Sequence, residues 1–126
     1  MTNESLKIIS DVMEYMGLHY EFMEYHSKPA YPYFVGEYQE VEPLNEDGMQ
    51  ESEFILTGFT RKSWLELEIA KTKIKTYFPQ VGGRTVITDS GSAVAVFYSN
   101  SFPVRTGDAE LKKMQINLTV KEWKVK

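Results

Sequence analysis

The sequence predicts an α+β domain: a mostly antiparallel sheet with two helices packed on one of its faces. Three observations predict it. Apolar residues recur at helical spacing in only two stretches, residues 3–16 and 63–79. Elsewhere they alternate with period two in short runs, as half-buried strands do. The connections include short turn signals such as Asp47-Gly48 and Asp89-Ser90-Gly91-Ser92, which favour antiparallel neighbours over the long crossovers of parallel sheets. At 126 residues the chain has the size of one domain with one core.

In residues 3–16 the stripe Leu6, Ile9, Met13 and Met16, widened by Val12, forms an amphipathic helix. Thr2 or Asn3 is placed to cap it, and Gly17 to end it in the left-handed conformation. Residues 18–25 alternate Leu18, Tyr20 and Phe22 against His19, Glu21 and Met23, which predicts a strand. A polar turn covers 26–32. Residues 33–42 alternate again, with Tyr33, Val35 and Glu37 on one side and Phe34, Gly36 and Tyr38 on the other. An acidic loop over 43–48 joins this run to a strand over 53–61, making a long hairpin with Phe54, Leu56 and Gly58 on one face.

The second helix is the most strongly signalled. Ser63-Trp64-Leu65-Glu66 fits a capping box, in which the Ser63 hydroxyl accepts from the N3 amide and the Glu66 carboxylate reaches back to the cap. Leu67, Ala70, Ile74 and Tyr77 form its stripe, Trp64 and Phe78 lie near its ends, and Pro79 stops it. Lys71, Lys73 and Lys75 occupy the C-terminal half, where the helix dipole favours cations. After a Gly82-Gly83 hinge, residues 85–88 and 93–98 form a tight hairpin, and 102–105 a short edge segment containing Pro103. Met114, Ile116, Leu118 and Val120 then alternate with polar residues in the last strand. The predicted order is α-β-β-β-α-β-β-β, without internal repeats or a linker.

Composition narrows the function classes. With no cysteine there are no disulfides and no thiolate metal sites, a usage that suits a reducing cytosol. No apolar run reaches the length of a membrane span, and the acidic start lacks the basic region of a signal peptide, so the expectation is cytoplasmic synthesis with no membrane partner. A net charge of −4 argues against nucleic-acid binding, which needs a basic surface. Charge is also segregated. Glu37, Glu40, Glu42, Glu46, Asp47, Glu51 and Glu53 fall in a stretch between Pro29 and Thr60 that has no Lys or Arg. The stretch 61–75 and the tail 104–126 lean basic. Such segregation fits an ordinary solvated surface, and it also fits two different faces of one molecule meeting head to tail.

Chemical motifs are absent. His19 and His26 are the only histidines and show no metal-ligand spacing. Ser90 lacks the strand-turn-helix setting of a nucleophile elbow. Val81-Gly82-Gly83-Arg84 follows a helix, whereas a phosphate cradle precedes one. Glu40 and Glu42 share a predicted strand face and Glu37 points to the other, so no carboxylate dyad forms locally. The expectation is therefore no catalytic residue, no metal and no cofactor. A core and an amphipathic strand face account for most of the tyrosines, which include Tyr20, Tyr25, Tyr31, Tyr33 and Tyr38, and tyrosine is also a preferred anchor of protein interfaces. A small ligand-binding or enzymatic α+β domain is the alternative, and an adaptor subunit of a cellular complex predicts the same surface chemistry.

The segments Tyr31-Pro-Tyr-Phe-Val-Gly-Glu-Tyr38, Glu46-Asp47-Gly48, Phe54-Ile-Leu-Thr-Gly-Phe-Thr-Arg61 and Ser63-Trp-Leu-Glu-Leu-Glu68 resemble the small tail-completion, or tail-terminator, proteins of long-tailed bacteriophages and prophages. The likeness spans about residues 1–80, and the C-terminal strands depart from it. It implies an antiparallel sheet flanked by helices and a homo-oligomer, typically a hexameric ring. That ring caps the tail tube and joins it to the head, with the tail tube protein and a head–tail connector as partners. It implies action on the virion tail, assembled in the host bacterial cytoplasm. It also implies that long hairpins make subunit contacts, which points to the acidic tip 43–48. The expected interface residues are Tyr33, Glu37, Tyr38, Glu40, Glu42, Glu46, Asp47, Lys71 and Lys75.

Overall fold

The computed structural model describes residues 1–24, 28, 30–42 and 48–124. Two helices and a six-stranded mixed sheet follow in the order α1 (Asn3–Tyr15), β1 (His19–Phe22), β2 (Tyr33–Glu42), β3 (Met49–Thr60), α2 (Trp64–Tyr77), β4 (Arg84–Ile87), β5 (Ala93–Val104) and β6 (Lys112–Trp123). Across the sheet the strands lie β1-β2-β3-β6-β5-β4.

The sheet is mostly antiparallel, as expected, with one exception. β1 runs parallel to β2, from His19 opposite Tyr33 to Phe22 opposite Gly36, so the two are not a hairpin. The other four pairings are antiparallel. β1 is also shorter than the predicted run over 18–25. Met23 turns out of the strand at φ 68°, donating its N–H to the Gly36 carbonyl. β3 begins at Met49 rather than residue 53, and β5 runs on to Val104, absorbing the predicted edge segment across a register shift between Tyr98 and Asn100.

Alternation decides what each sheet face does. In β3 every second residue from Gln50 to Thr60 is buried and every residue between is half-exposed. Register then lines up Phe34 with Gly58, Leu56 with Ile116, and Phe54 with Leu118, which itself sits beside Tyr98. These side chains join Ile9 and Met13 of α1 and Leu67, Ala70 and Ile74 of α2 in one apolar core. Both helices therefore lie on the same face. Two glycines make room for this packing. A Cβ at Gly58 would come within 2.5 Å of the Phe34 ring and one at Gly36 within 2.6 Å of Phe54 and Tyr20.

Polar contacts tie the chain ends into the fold. Thr2 caps α1, its hydroxyl accepting from the Ser5 N–H. Buried Glu122 on β6 accepts from the Thr2 N–H at 3.1 Å, the Thr2 hydroxyl at 2.8 Å and the Ser5 hydroxyl. A carboxylate here satisfies donors of the first turn and faces the positive end of the helix dipole. The Met1 ammonium lies 3.0 Å from Glu40 and 3.9 Å from Glu122.

The α2 start departs from the predicted capping box. The Ser63 hydroxyl accepts from Leu65 N–H at 3.1 Å, not from Glu66, and the Glu66 carboxylate takes the Thr60 hydroxyl at 3.0 Å instead of reaching back to the cap. That bond ties the end of β3 to the first turn of α2, a use of Glu66 that a local motif does not reveal.

Candidate protein interfaces

Among the described residues, three surfaces stand out as candidates for contact with other molecules. The first is the sheet face opposite the helices. Strand register places Tyr33 beside Phe59 and Lys113, Ile55 beside Asn117 and Asn100, and Glu53 beside Thr119 and Phe97. Its centre is polar. The Gln115 amide donates to Asn117 at 3.0 Å and Asn117 donates to Asn100 at 2.7 Å. Its flanks are aromatic: Tyr33 stacks on Phe59 at 5.0 Å and meets Tyr31 at 5.7 Å. Lys113 lies over Phe59 and Lys121 over Phe97, each 5.6 Å from the ring centre, a cation–π arrangement. Burial pushes the Glu53 carboxyl above its ordinary value, neighbouring Glu51 adds to this, and the Thr119 hydroxyl opposes it.

The second surface is the free edge of β2. β1 pairs only as far as Gly36, so Glu37–Glu40 and Val41 form an exposed sheet edge. Phe22 and Tyr38 stack across it at 6.2 Å, and Phe22, Met23, Tyr38 and Val41 are all exposed. Glu24, Glu37 and Glu40 are exposed on the same part of the molecule. The edge is therefore apolar and acidic together.

The third surface is a groove of about 480 Å³ between the start of α2 and the β5–β6 connection. Trp64, Pro103, Val104 and Leu111 give it apolar walls, and Arg105 and Lys112 give it positive charge. Asp108 also lines it but is engaged, accepting from the Glu110 N–H at 3.0 Å and from Arg61 at 3.1 Å; those two bonds hold its carboxyl below the ordinary value. The outward side of α2 continues the apolar strip, with Trp64 42 %, Leu65 63 % and Ile69 50 % exposed.

The structure distributes the expected interface residues unevenly. Tyr33 and Glu37 lie on the open sheet face by register, while Tyr38 and Glu40 lie toward the helix side on the β2 edge. Glu46 and Asp47 fall outside the described residues, as does the side chain of Glu42. A register shift between Glu40 and Glu42 interrupts the alternation on which their shared face was predicted. Lys71 pairs with Glu68 on its own helix, and Lys75 lies 5.2 Å from the Tyr98 ring. The basic side chains lining the groove are Arg105 and Lys112 instead. Sequence reading passed over Leu65 and Ile69. Their spacing of four, off the core stripe, was a readable sign of a second apolar side to α2.

The histidine that the structure describes, His19, is exposed; it lines a shallow cleft of about 290 Å³ with Glu66 and Lys73. Among the described residues no group of three or more His, Asp or Glu side chains is placed to hold a metal ion. No helix in the described residues is long and apolar enough to cross a membrane. The chain matches no known family model and no curated protein at a significant level.

Proposed function

We propose that this chain is a structural virion-assembly protein of the tail-terminator kind, forming a ring, typically hexameric, that caps a phage tail tube and joins it to the head. One observation carries the reading. Among the described residues the sheet packs both helices on one face, and its other face is left without a helix across the central strands, with aromatic flanks around a hydrogen-bonded amide centre. A face of this kind suits burial against further protein. The resemblance of residues 31–68 to tail-completion proteins supports the same reading, and segregated charge suits contacts between unlike surfaces.

The partners on this reading are further copies of the chain, the tail tube protein and the head–tail connector, met on the virion tail during assembly in the host cytoplasm. The test is to incubate the protein with tail tubes from the phage or prophage whose genome carries it, then to image tube ends by electron microscopy. Ring-shaped density at one end of each tube is the expected result. Tubes whose ends stay bare at saturating protein would overturn the proposal.

A further inference from the structure

The β2 edge and the α2 groove are complementary in two respects. The edge presents aromatic and aliphatic side chains, Phe22, Tyr38 and Val41, beside the exposed carboxylate of Glu37, while Glu40 on the same edge already meets the Met1 ammonium at 3.0 Å. The groove presents Trp64, Val104 and Leu111 between Arg105 and Lys112. It also opens at the N-terminus of a fourteen-residue helix, where the dipole favours negative charge. Like would meet like in apolar area, and opposite would meet opposite in charge.

The two surfaces cannot meet within one molecule. Glu40 pairs with Ser52 on β3, whereas the groove lies beyond Thr60 and Lys112 at the far end of the same strand pair. Eight residues of β3 separate those points, roughly 27 Å at ~3.4 Å per residue. A rigid sheet holds them at that distance, so the edge is free only for another molecule.

We infer that the acidic, aromatic β2 edge of one copy seats in the basic α2 groove of a second copy, joining copies head to tail. The occupant is thus this same chain. The contact deepens the assembly reading above and rests on it for its biological setting. Because it joins two different patches, every open assembly keeps one free edge at one end and one free groove at the other, and association continues until a ring closes. Charged rims make the contact weaken as salt rises.

The experiment uses the full chain and two double variants at exposed positions. Trp64→Ala with Arg105→Glu disables the groove, and Tyr38→Ala with Val41→Lys disables the edge. Circular dichroism and thermal melts check that both stay folded. Sedimentation velocity is run up to about millimolar protein at low and high salt. The wild type should associate, less so at high salt, and each variant alone should remain monomeric. An equimolar mixture of the variants should form dimers and nothing larger, since only one intact edge and one intact groove can meet. A wild type that stays monomeric throughout, a variant that associates as the wild type does, or a mixture that stays monomeric while the wild type associates would each overturn the contact. Variants that associate normally and still cap tail tubes would remove this contact and leave the tail reading standing. Head-to-tail pairing by a protein that leaves tube ends bare would keep the contact and remove the tail reading.

Discussion

The two faces of the sheet are built from the same strands, and a shift of one residue separates them. On the covered face Phe54, Leu56, Ile116 and Leu118 are fully buried under the helices. On the open face their immediate neighbours Ile55, Thr57, Gln115 and Thr119 remain partly exposed. Since side chains alternate along a strand, most positions fall either under the helices or on the open face, although Ala95 and Asn117 of the open face are buried as well. The open face still carries Ile55, Phe59 and Phe97, side chains that fit a core as well as an interface. What keeps them from core duty is the placement of both helices on the opposite side.

The largest expected difference between the faces lies between two adjacent residues. Phe54→Ala leaves a cavity under α1 and α2 and should cost about 3–5 kcal/mol in denaturant unfolding. Ile55→Ala, one residue on, should cost under ~1 kcal/mol, because its neighbours already leave it partly in water. Equal losses would mean that the open face is part of the folding core after all.

A second difference concerns polar groups. Glu122 is buried on the helix side and accepts three donors from residues 2 and 5, so Glu122→Gln should lower stability by about 1–3 kcal/mol. The open-face amide Asn117 also bonds in a chain, but that chain ends at exposed Asn100, where water can replace it. Asn117→Ala should therefore cost less than Glu122→Gln in the same assay.

Titration offers a third contrast. Burial of Tyr20 beneath Gly36 pushes its phenol up to about 12 from the ordinary 10.0. A raised value means that its contribution to stability is whole below the ordinary value and is lost as pH rises through the folded one, so the window is pH 10 to about 12. Ultraviolet titration should show one tyrosine ionising late, and Tyr20→Phe should remove that step. A step that survives the substitution would assign the late titration to another tyrosine.

How much of this was legible in the sequence depends on range. Helix spacing, the alternation of β3 and β6 and the left-handed Gly17 are local, and local pattern showed them. The parallel placement of β1 was not, because a four-residue strand carries no mark of direction and its partner on β2 lies fourteen residues further along the chain. The groove was missed for a related reason. Trp64 and Leu111 are far apart in sequence, and only the β5–β6 connection folding back beside α2 brings them together. Acidic residues of the β2 edge were readable because they cluster along the chain, and the basic lean of the tail that holds Arg105 and Lys112 was readable too; what was not readable is that those two line one groove with Trp64 of α2.

The smallest expected effect bears on what becomes of the open face. Glu53 sits there half-exposed, its carboxyl raised first by burial and then by Glu51. Its contribution to stability is fully present below the ordinary value of 4.5 and is lost as pH rises through the raised folded value. At neutral pH the ionised group is therefore a mild liability, and Glu53→Gln should stabilise the monomer by no more than a few tenths of a kcal/mol once solvent screening is allowed for. The same group reports on assembly. If a neighbouring subunit covers this face, desolvation grows, the carboxyl is driven higher still, and protons are taken up as copies join. Association then strengthens as pH falls toward the carboxylate range, and Glu53→Gln flattens that dependence. If the face instead lines an open channel, water still reaches Glu53 and the variant leaves the pH profile of assembly unchanged. Measuring association of wild type and Glu53→Gln across that range thus decides whether the open face is an interface or a lining.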